Sequence, residues 1–343
     1  MITISLCMIV KNEESILARC LDSVAELMDE IIIVDTGSTD RTREVAAKYT
    51  DRVFDFQWVD DFSAARNYAF SKASMEYIYS ADADEVLDQE NQERFRVLKE
   101  TLLPEIEIVQ MKYANQLQFQ TVYNFDEEYR PKLFKRKRDF IWEGPIHETV
   151  RLAPLVFDSD IVITHMAEGD HAKRDLAGFH KHCSTGYRPD KRLHNLYARE
   201  LMMAGDAEDF ARAADFFRTS AADGERDGEE IAEACCVAAR AARLSGDVIS
   251  FFKYVSKVIA EEACSEICCE LGQFYEDNQD PEEAAVWYYN AVYETQPILD
   301  IRSGGKTGLE GLIRCYEKLE CDEQAKLYRA ELEKTVKSNF REQ

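Results

Sequence analysis

Over the first eighty residues, apolar runs of strand length alternate with segments whose apolar residues recur at helical spacing, and this rhythm restricts the fold more than any other feature. Residues 2–10 are an apolar run rich in β-branched side chains that stops at Lys11-Asn12-Glu13-Glu14; Ile16, Leu17, Cys20, Leu21 and Val24 then return at the intervals of a helix. Residues 31–34 form a second buried run ending at Asp35, and the turn Thr36-Gly37-Ser38-Thr39-Asp40 feeds a helix over 41–49 that Ser38 or Thr39 is placed to cap. Residues 53–54 and 77–79 read as two further strands, with a helix over 62–73 between them. Strand and helix in this order predict right-handed βαβ units and a mostly parallel sheet.

In such a sheet, ligands bind at the carboxyl ends of the strands. Asn12, Glu13, Asp35, Asp60, Asp61, Asp82 and Asp84 all fall just after predicted strand ends. The most concentrated of these sites is Ser80-Ala81-Asp82-Ala83-Asp84-Glu85, where three neighbouring carboxylates repel one another unless a positive charge sits among them. Hard oxygen ligands favour Mg²⁺ or Mn²⁺, ions that share their coordination sphere with substrate phosphates. An ordinary acidic surface loop has the same composition. There is no Gly-x-Gly-x-x-Gly and no Gly-Lys-Ser/Thr, which disfavours a dinucleotide fingerprint and a Walker loop. Residues 106–113, 117–123 and 132–135 read as longer, antiparallel strands, and 124–129 as a hairpin or lid. Lys132, Lys135, Arg136, Lys137 and Arg138 are the one strongly basic run and read as a solvated turn in preference to a phosphate or acceptor contact. Residues 161–165 are a last short strand ending in His165, which either faces the crevice or is structural.

From about residue 175 the period is helical throughout, which divides the 343 residues into a domain over 1–175 and a second over 176–343. In the second, Glu270-Leu271-Gly272-Gln273-Phe274-Tyr275 followed by Asp280-Pro281-Glu282-Glu283-Ala284-Ala285, Tyr288, Ala291 and Pro297 fits a tetratricopeptide repeat. Weaker copies span 201–217, 232–255 and 312–328, broken near Gly205-Asp206, Gly246-Asp247 and Cys321-Asp322. Repeats of this kind stack on one another and bind peptide segments, mediate a homodimer or serve a purely structural role. The 66 acids against 42 bases give a formal charge of -24, which argues against nucleic acid and anionic membranes as partners. No stretch approaches the length of a membrane span, and residues 1–10 read as a strand and not a signal peptide, so the expected location is cytoplasmic. The ten cysteines lie without paired Cys-x-x-Cys sets and read as buried, reduced thiols.

Five segments, taken together, resemble the successive motifs of family 2 glycosyltransferases with the GT-A fold: 4–14 (ISLCMIVKNEE), 34–40 (VDTGSTD), 60–67 (DDFSAARN), 82–85 (DADE) and 142–148 (WEGPIHE). The branch they are most similar to carries tetratricopeptide helices and includes bacteriocin S-glycosyltransferases. The resemblance implies an α/β GT-A domain with a Rossmann-like mixed sheet, followed by an all-α helical-repeat domain. It implies a metal-dependent, inverting transfer from a UDP-sugar. Lys11, Asn12, Glu13 and Asp35 are then expected at the base and ribose, Arg66 near the pyrophosphate, Asp82 at the ribose and metal, and Asp84 on Mn²⁺ or Mg²⁺. His147 is expected as a third metal ligand or an acceptor-positioning group. Glu148 is the leading general base and Glu143 the second. Helical repeats fused to the transferase point to a peptide or protein acceptor; the alternatives are a surface polysaccharide or lipopolysaccharide sugar, or a catalytically inactive helical-repeat scaffold.

Overall fold

β1 (Ile4–Val10) is the natural centre of the first layer because it is apolar on both faces: Ile4, Leu6, Met8 and Val10 face one side, while Cys7 packs on the other. β2 (Glu30–Asp35) and β4 (Tyr77–Ser80) flank it in parallel, with Asp35 opposite Val10 and Ser80 opposite Cys7. β3 (Val53–Asp55) adds outside β2. Beyond β4 the sheet becomes mixed. β7 (Glu128–Lys135) runs antiparallel to both β4 and β6 (Ile108–Ala114), β10 (Val156–His165) runs parallel to β6, and β5 (Glu85–Val86) closes the edge, giving the order β3-β2-β1-β4-β7-β6-β10-β5. A separate two-stranded pair joins β8 (Trp142–Glu143) to β9 (Thr149–Val150).

These elements come from a computed structural model that describes residues 1–114, 128–137, 142–147, 149–150, 154–166 and 172–339. They divide into two compact units, Met1–Asp170 and His171–Gln343.

In the first unit, α1 (Leu17–Val24), α2 (Thr42–Ala46) and α4 (Gln89–Thr101) cover one face of the sheet through Leu17, Leu21, Ala46, Phe95 and Leu98. α3 (Phe62–Lys72) covers the other, setting Ala69 and Phe70 against Ile32, Val34, Ile78 and Phe134. Several sequence expectations need correction. The helix expected over 41–49 is only the five residues of α2, and neither Ser38 nor Thr39 caps it; Asp40 Oδ1 accepts the Thr42 N–H at 3.0 Å, and the Ser38 hydroxyl serves a neighbouring loop. Of the expected hairpin, 124–127 lie outside the described residues, as does the strand placed at 117–123; Glu128 and Tyr129 open β7. The last strand begins at Val156, five residues earlier than its apolar pattern suggests, because its first turns are exposed. The two-residue strand β5 carries no sequence signal at all. It forms because Glu85 and Val86 pair with His165 and Thr164, which draws the end of β10 onto the acidic turn.

The second unit is helical: α5 (Ala172–Ser184), α6 (Lys191–Ala204), α7 (Ala207–Ser220), α8 (Gly228–Ser245), α9 (Val248–Glu261), α10 (Ser265–Asp277), α11 (Pro281–Tyr289), α12 (Gly308–Lys318) and α13 (Asp322–Asn339). Some of the chain's acidity has a structural use here. Asp190, Asp206, Asp227, Asp247 and Asp280 each cap a helix by accepting a backbone N–H of its first turn, a contribution of about 1 kcal/mol apiece. The helix breaks fall at Gly205-Asp206, Gly246-Asp247 and Cys321-Asp322, where the repeat pattern placed them. All ten cysteines are free and eight are buried. No helix among the described residues is long and apolar enough to cross a membrane.

Tyr288 is the keystone of the last repeats. Its buried ring lies between Gly272 of α10 and Gly311 of α12, and its Oη is held by Gln273, Glu276 and Arg314 at 3.1–3.2 Å. A Cβ at Gly311 meets the ring at 2.5 Å, and the tethered hydroxyl leaves the ring no room to retreat. Gly311→Ala is therefore expected to destabilise the second unit by about 1–3 kcal/mol, although alanine is the better helix former. Chemical denaturation of the two proteins measures this; an unchanged or raised midpoint contradicts the packing.

Candidate active site

The acidic turn starts where β4 ends, and each of its three carboxylates has a different environment. Asp82 Oδ1 accepts from Arg66 Nη2 at 2.9 Å, while Arg66 Nη1 donates to Ser80 Oγ at 2.9 Å. The Asp82 side chain keeps 38% of its surface open. It lies deep enough that desolvation works to raise its pKa, yet Arg66, and after it Lys132, outweigh that effect and hold the carboxyl well below the usual range. Asp84 faces a histidine: its Oδ2 lies 3.0 Å from His165 Nε2. Its Oδ1 is buried with no hydrogen-bond partner among the described residues. Glu85 is buried and ion-paired with the equally buried Lys132 of β7. Burial pushes its pKa up, Lys132 opposes the rise, and Asp82 adds to it. The backbone is pinned around these groups, with Met166 N donating to Asp84 O at 2.8 Å and Arg19 Nη2 to Met166 O at 2.9 Å.

Arg66 is delivered by α3, which Asp61 caps by accepting from Ala64 N at 3.1 Å. Its guanidinium also lies over the Trp142 ring, 5.0 Å from the centroid. Trp142 in turn fills core, edge-on to Phe70 and Phe134. Asn67, next to Arg66, holds the Trp142 backbone from both sides: its Nδ2 donates to Trp142 O at 3.1 Å and its Oδ1 accepts from Trp142 N at 2.9 Å. Asn67→Ala leaves both backbone groups without their partner and is expected to cost about 1–3 kcal/mol. Thermal unfolding checks this; a variant as stable as the parent shows that the segment is held by other contacts.

At the ends of β1 and β2, two loops interlock. Asp35 Oδ1 accepts from Gly37 N and Ser38 N, both at 2.9 Å, and its Oδ2 is buried without a partner among the described residues. Gly37 takes φ +107°, a conformation open to glycine alone without strain. Asn12 N donates to Ser38 Oγ at 2.9 Å, Asn12 Oδ1 accepts from Thr39 N at 2.8 Å, and Glu13 N donates to Thr42 Oγ1 at 2.7 Å. Lys11 is exposed beside them. The crevice end of the sheet thus holds two buried carboxylate oxygens without a hydrogen-bond partner among the described residues, one at Asp35 and one at Asp84.

Residues 5–153 match the sequence profile described as glycosyl transferase family 2. The first unit carries a glycosyl transferase family 2 domain. Its mixed sheet is GT-A-like, and the helical unit follows it, as the motifs implied. A tetratricopeptide-repeat-containing protein of Synechococcus elongatus is 36% identical over 162 residues, covering 44% of this chain and 36% of the relative. The SPbeta prophage-derived glycosyltransferase SunS of Bacillus subtilis is 38% identical over 91 residues, 26% of this chain and 22% of SunS. The lipopolysaccharide core biosynthesis glycosyltransferase LpsC of Rhizobium meliloti is 30% identical over 132 residues, 37% of this chain and 46% of LpsC. The chain therefore spans less than half the length of each of these curated relatives. Among solved structures, glucosyl-3-phosphoglycerate synthase of Mycobacterium tuberculosis with Mn²⁺ and UDP-glucose aligns with a TM-score of 0.41 at 15% identity, covering 55% of this chain and 81% of that one.

In the family 2 domain, the structure brings Asp82, Asp84 and Arg66 into one cluster at the end of β4. It places Lys11, Asn12, Glu13 and Asp35 together at the ends of β1 and β2. Glu143 is exposed on β8, and Glu148 lies outside the described residues. His147 takes a left-handed φ of +48° and is not the histidine on Asp84. That residue is His165. Lys132 is another departure from expectation: it is buried against Glu85 and does not belong to a solvated turn. Its place directly before the apolar pair Leu133-Phe134 inside a strand sets it apart from the rest of the basic run, but only the pairing of the strands brings it to Glu85.

Proposed function

We propose that this chain is a metal-dependent, inverting glycosyltransferase that moves a sugar from a UDP-sugar to a peptide or protein side chain. The observation that carries the reading is Asp84: a carboxylate at the carboxyl end of a central strand, hydrogen-bonded on one oxygen to His165 and buried without a partner on the other. Two aspartates and an imidazole suit a hard divalent ion such as Mn²⁺ or Mg²⁺. Asp84, Asp82 and His165 are the residues that would hold it, with His147 left to the acceptor side next to Glu148. When bound, the ion supplies positive charge against the departing nucleoside diphosphate.

The protein's own groups do the rest. Arg66, fixed by Ser80, Asp82 and Trp142, presents paired N–H donors suited to phosphate oxygens. The unpartnered Asp35 oxygen, buried as it stands, is an acceptor of the kind that the uracil N3–H requires, and the interlocked loops carrying Lys11, Asn12 and Glu13 would frame the base and ribose. Glu148 accepts the proton of the attacking acceptor group, with Glu143 as the second candidate. The peptide acceptor rests on the helical repeats and on the motif resemblance, and the LpsC relative makes a lipopolysaccharide sugar the specific second reading.

Release of UDP from a panel of UDP-sugars, measured with Mn²⁺, with Mg²⁺ and with EDTA, tests the proposal. Peptides bearing cysteine, serine or threonine and a lipopolysaccharide core oligosaccharide serve as acceptors. Turnover that needs the metal and a peptide is the expected result. Turnover with the oligosaccharide alone assigns the second acceptor class, and turnover undiminished by EDTA contradicts the metal.

A further inference from the structure

The acidic turn contains one carboxylate more than the proposed metal site uses. Glu85 follows Asp84 directly, and its pairing with His165 fixes its backbone at the site. Its side chain is 2% exposed, Oε1 is ion-paired with Lys132 Nζ, and Oε2 is buried with no hydrogen-bond partner among the described residues. Lys132 is itself steadied by the Tyr113 ring, whose centroid lies 5.2 Å from Nζ. A buried ion pair of this kind is weak evidence of a stability role, since an apolar pair often replaces it at no cost. Its electrostatic effect on its surroundings is larger. Asp82, Asp84 and Glu85 carry three negative charges and Arg66 and Lys132 two positive ones, which leaves a net charge of -1. Arg130, also near Asp82, is paired with Glu128.

We propose that Glu85 and Lys132 are positioning residues: their ion pair keeps Glu85 off the metal and holds the turn at one net negative charge, so that the cation and a nucleoside diphosphate bind as a unit. A turn at -1 attracts a divalent ion weakly by itself, and the diphosphate supplies the remaining negative charge. Freed from Lys132, Glu85 offers a further hard oxygen ligand and the turn goes to -2, which favours the bare ion. This inference rests on the metal reading above.

Calorimetric titration of Mn²⁺, alone and with UDP present, tests it on the full-length protein and on Glu85→Gln, Lys132→Met and the double variant, with melting temperatures recorded for each. The parent is expected to bind Mn²⁺ far more tightly when UDP is present. Lys132→Met is expected to bind Mn²⁺ alone about tenfold more tightly and to lose most of the UDP dependence, and Glu85→Gln to bind it about tenfold more weakly. The double variant restores a net charge of -1 without Glu85 and is expected to return close to the parent, which keeps the test readable if a single variant unfolds. A parent that couples Mn²⁺ to UDP, with variants that all bind as it does or a double variant that departs from it, overturns the role of the pair alone. A parent that binds no Mn²⁺ under either condition overturns the metal reading, and this inference with it.

Discussion

Asp84→Ala is expected to abolish Mn²⁺-dependent UDP binding and to lower turnover by at least about a hundredfold, with the fold intact. The size follows from what the side chain does. Its carboxylate makes one side-chain hydrogen bond, to His165, and otherwise presents a buried oxygen with no partner among the described residues, so truncation removes a ligand without opening the core. Removing a group that stabilises charge in the transition state costs about 10²–10³ in rate. His165→Ala, which takes away the group that orients Asp84 and the proposed third ligand, is expected to cost about 10–100-fold. Steady-state turnover and the melting temperature, measured on the same preparations, separate chemistry from folding. Parental turnover by Asp84→Ala removes the metal from the account.

Glu148→Gln is expected to lower turnover by about 10²–10⁴ while leaving UDP binding unchanged, because the amide keeps the shape of the side chain and loses the ability to accept a proton. Glu143→Gln is the comparator. Glu143 is exposed on β8, and if it is the base instead, the two variants exchange phenotypes. Full activity in both variants moves the search to another carboxylate, of which Asp126 is the next candidate.

The central parallel strands β1, β2 and β4 were legible because they are largely buried and so read as unbroken apolar runs. The edge was not legible. β5 is two residues long and exists only through its partner, and the exposed first half of β10 lacks the alternation that marks a half-buried strand. The same divide runs through the site. Asp82, Asp84, Asp35 and Arg66 lie next to strand ends or in a motif, which is what marks them as candidates in the sequence. His165 and Lys132 reach the acidic turn through the long-range pairings β10 with β5 and β7 with β4, which no local pattern encodes. A histidine after an apolar run and a lysine in a basic run each have a commoner structural explanation, and only the register of the sheet decides between them. Asn12 shows the reverse case: its position at a strand end marked it for the donor, and the structure shows it also clasping the neighbouring loop.

The central claim is that the carboxyl end of this sheet binds a nucleoside diphosphate together with a divalent ion. Isothermal titration of UDP into the full-length protein, with Mn²⁺ and then with EDTA, tests it most directly, using GDP and CDP as controls. The account predicts heat of binding for UDP with Mn²⁺, its loss in EDTA, and little response to the other two nucleotides. Absence of UDP binding under both conditions contradicts it and leaves the helical repeats as the working part of the molecule.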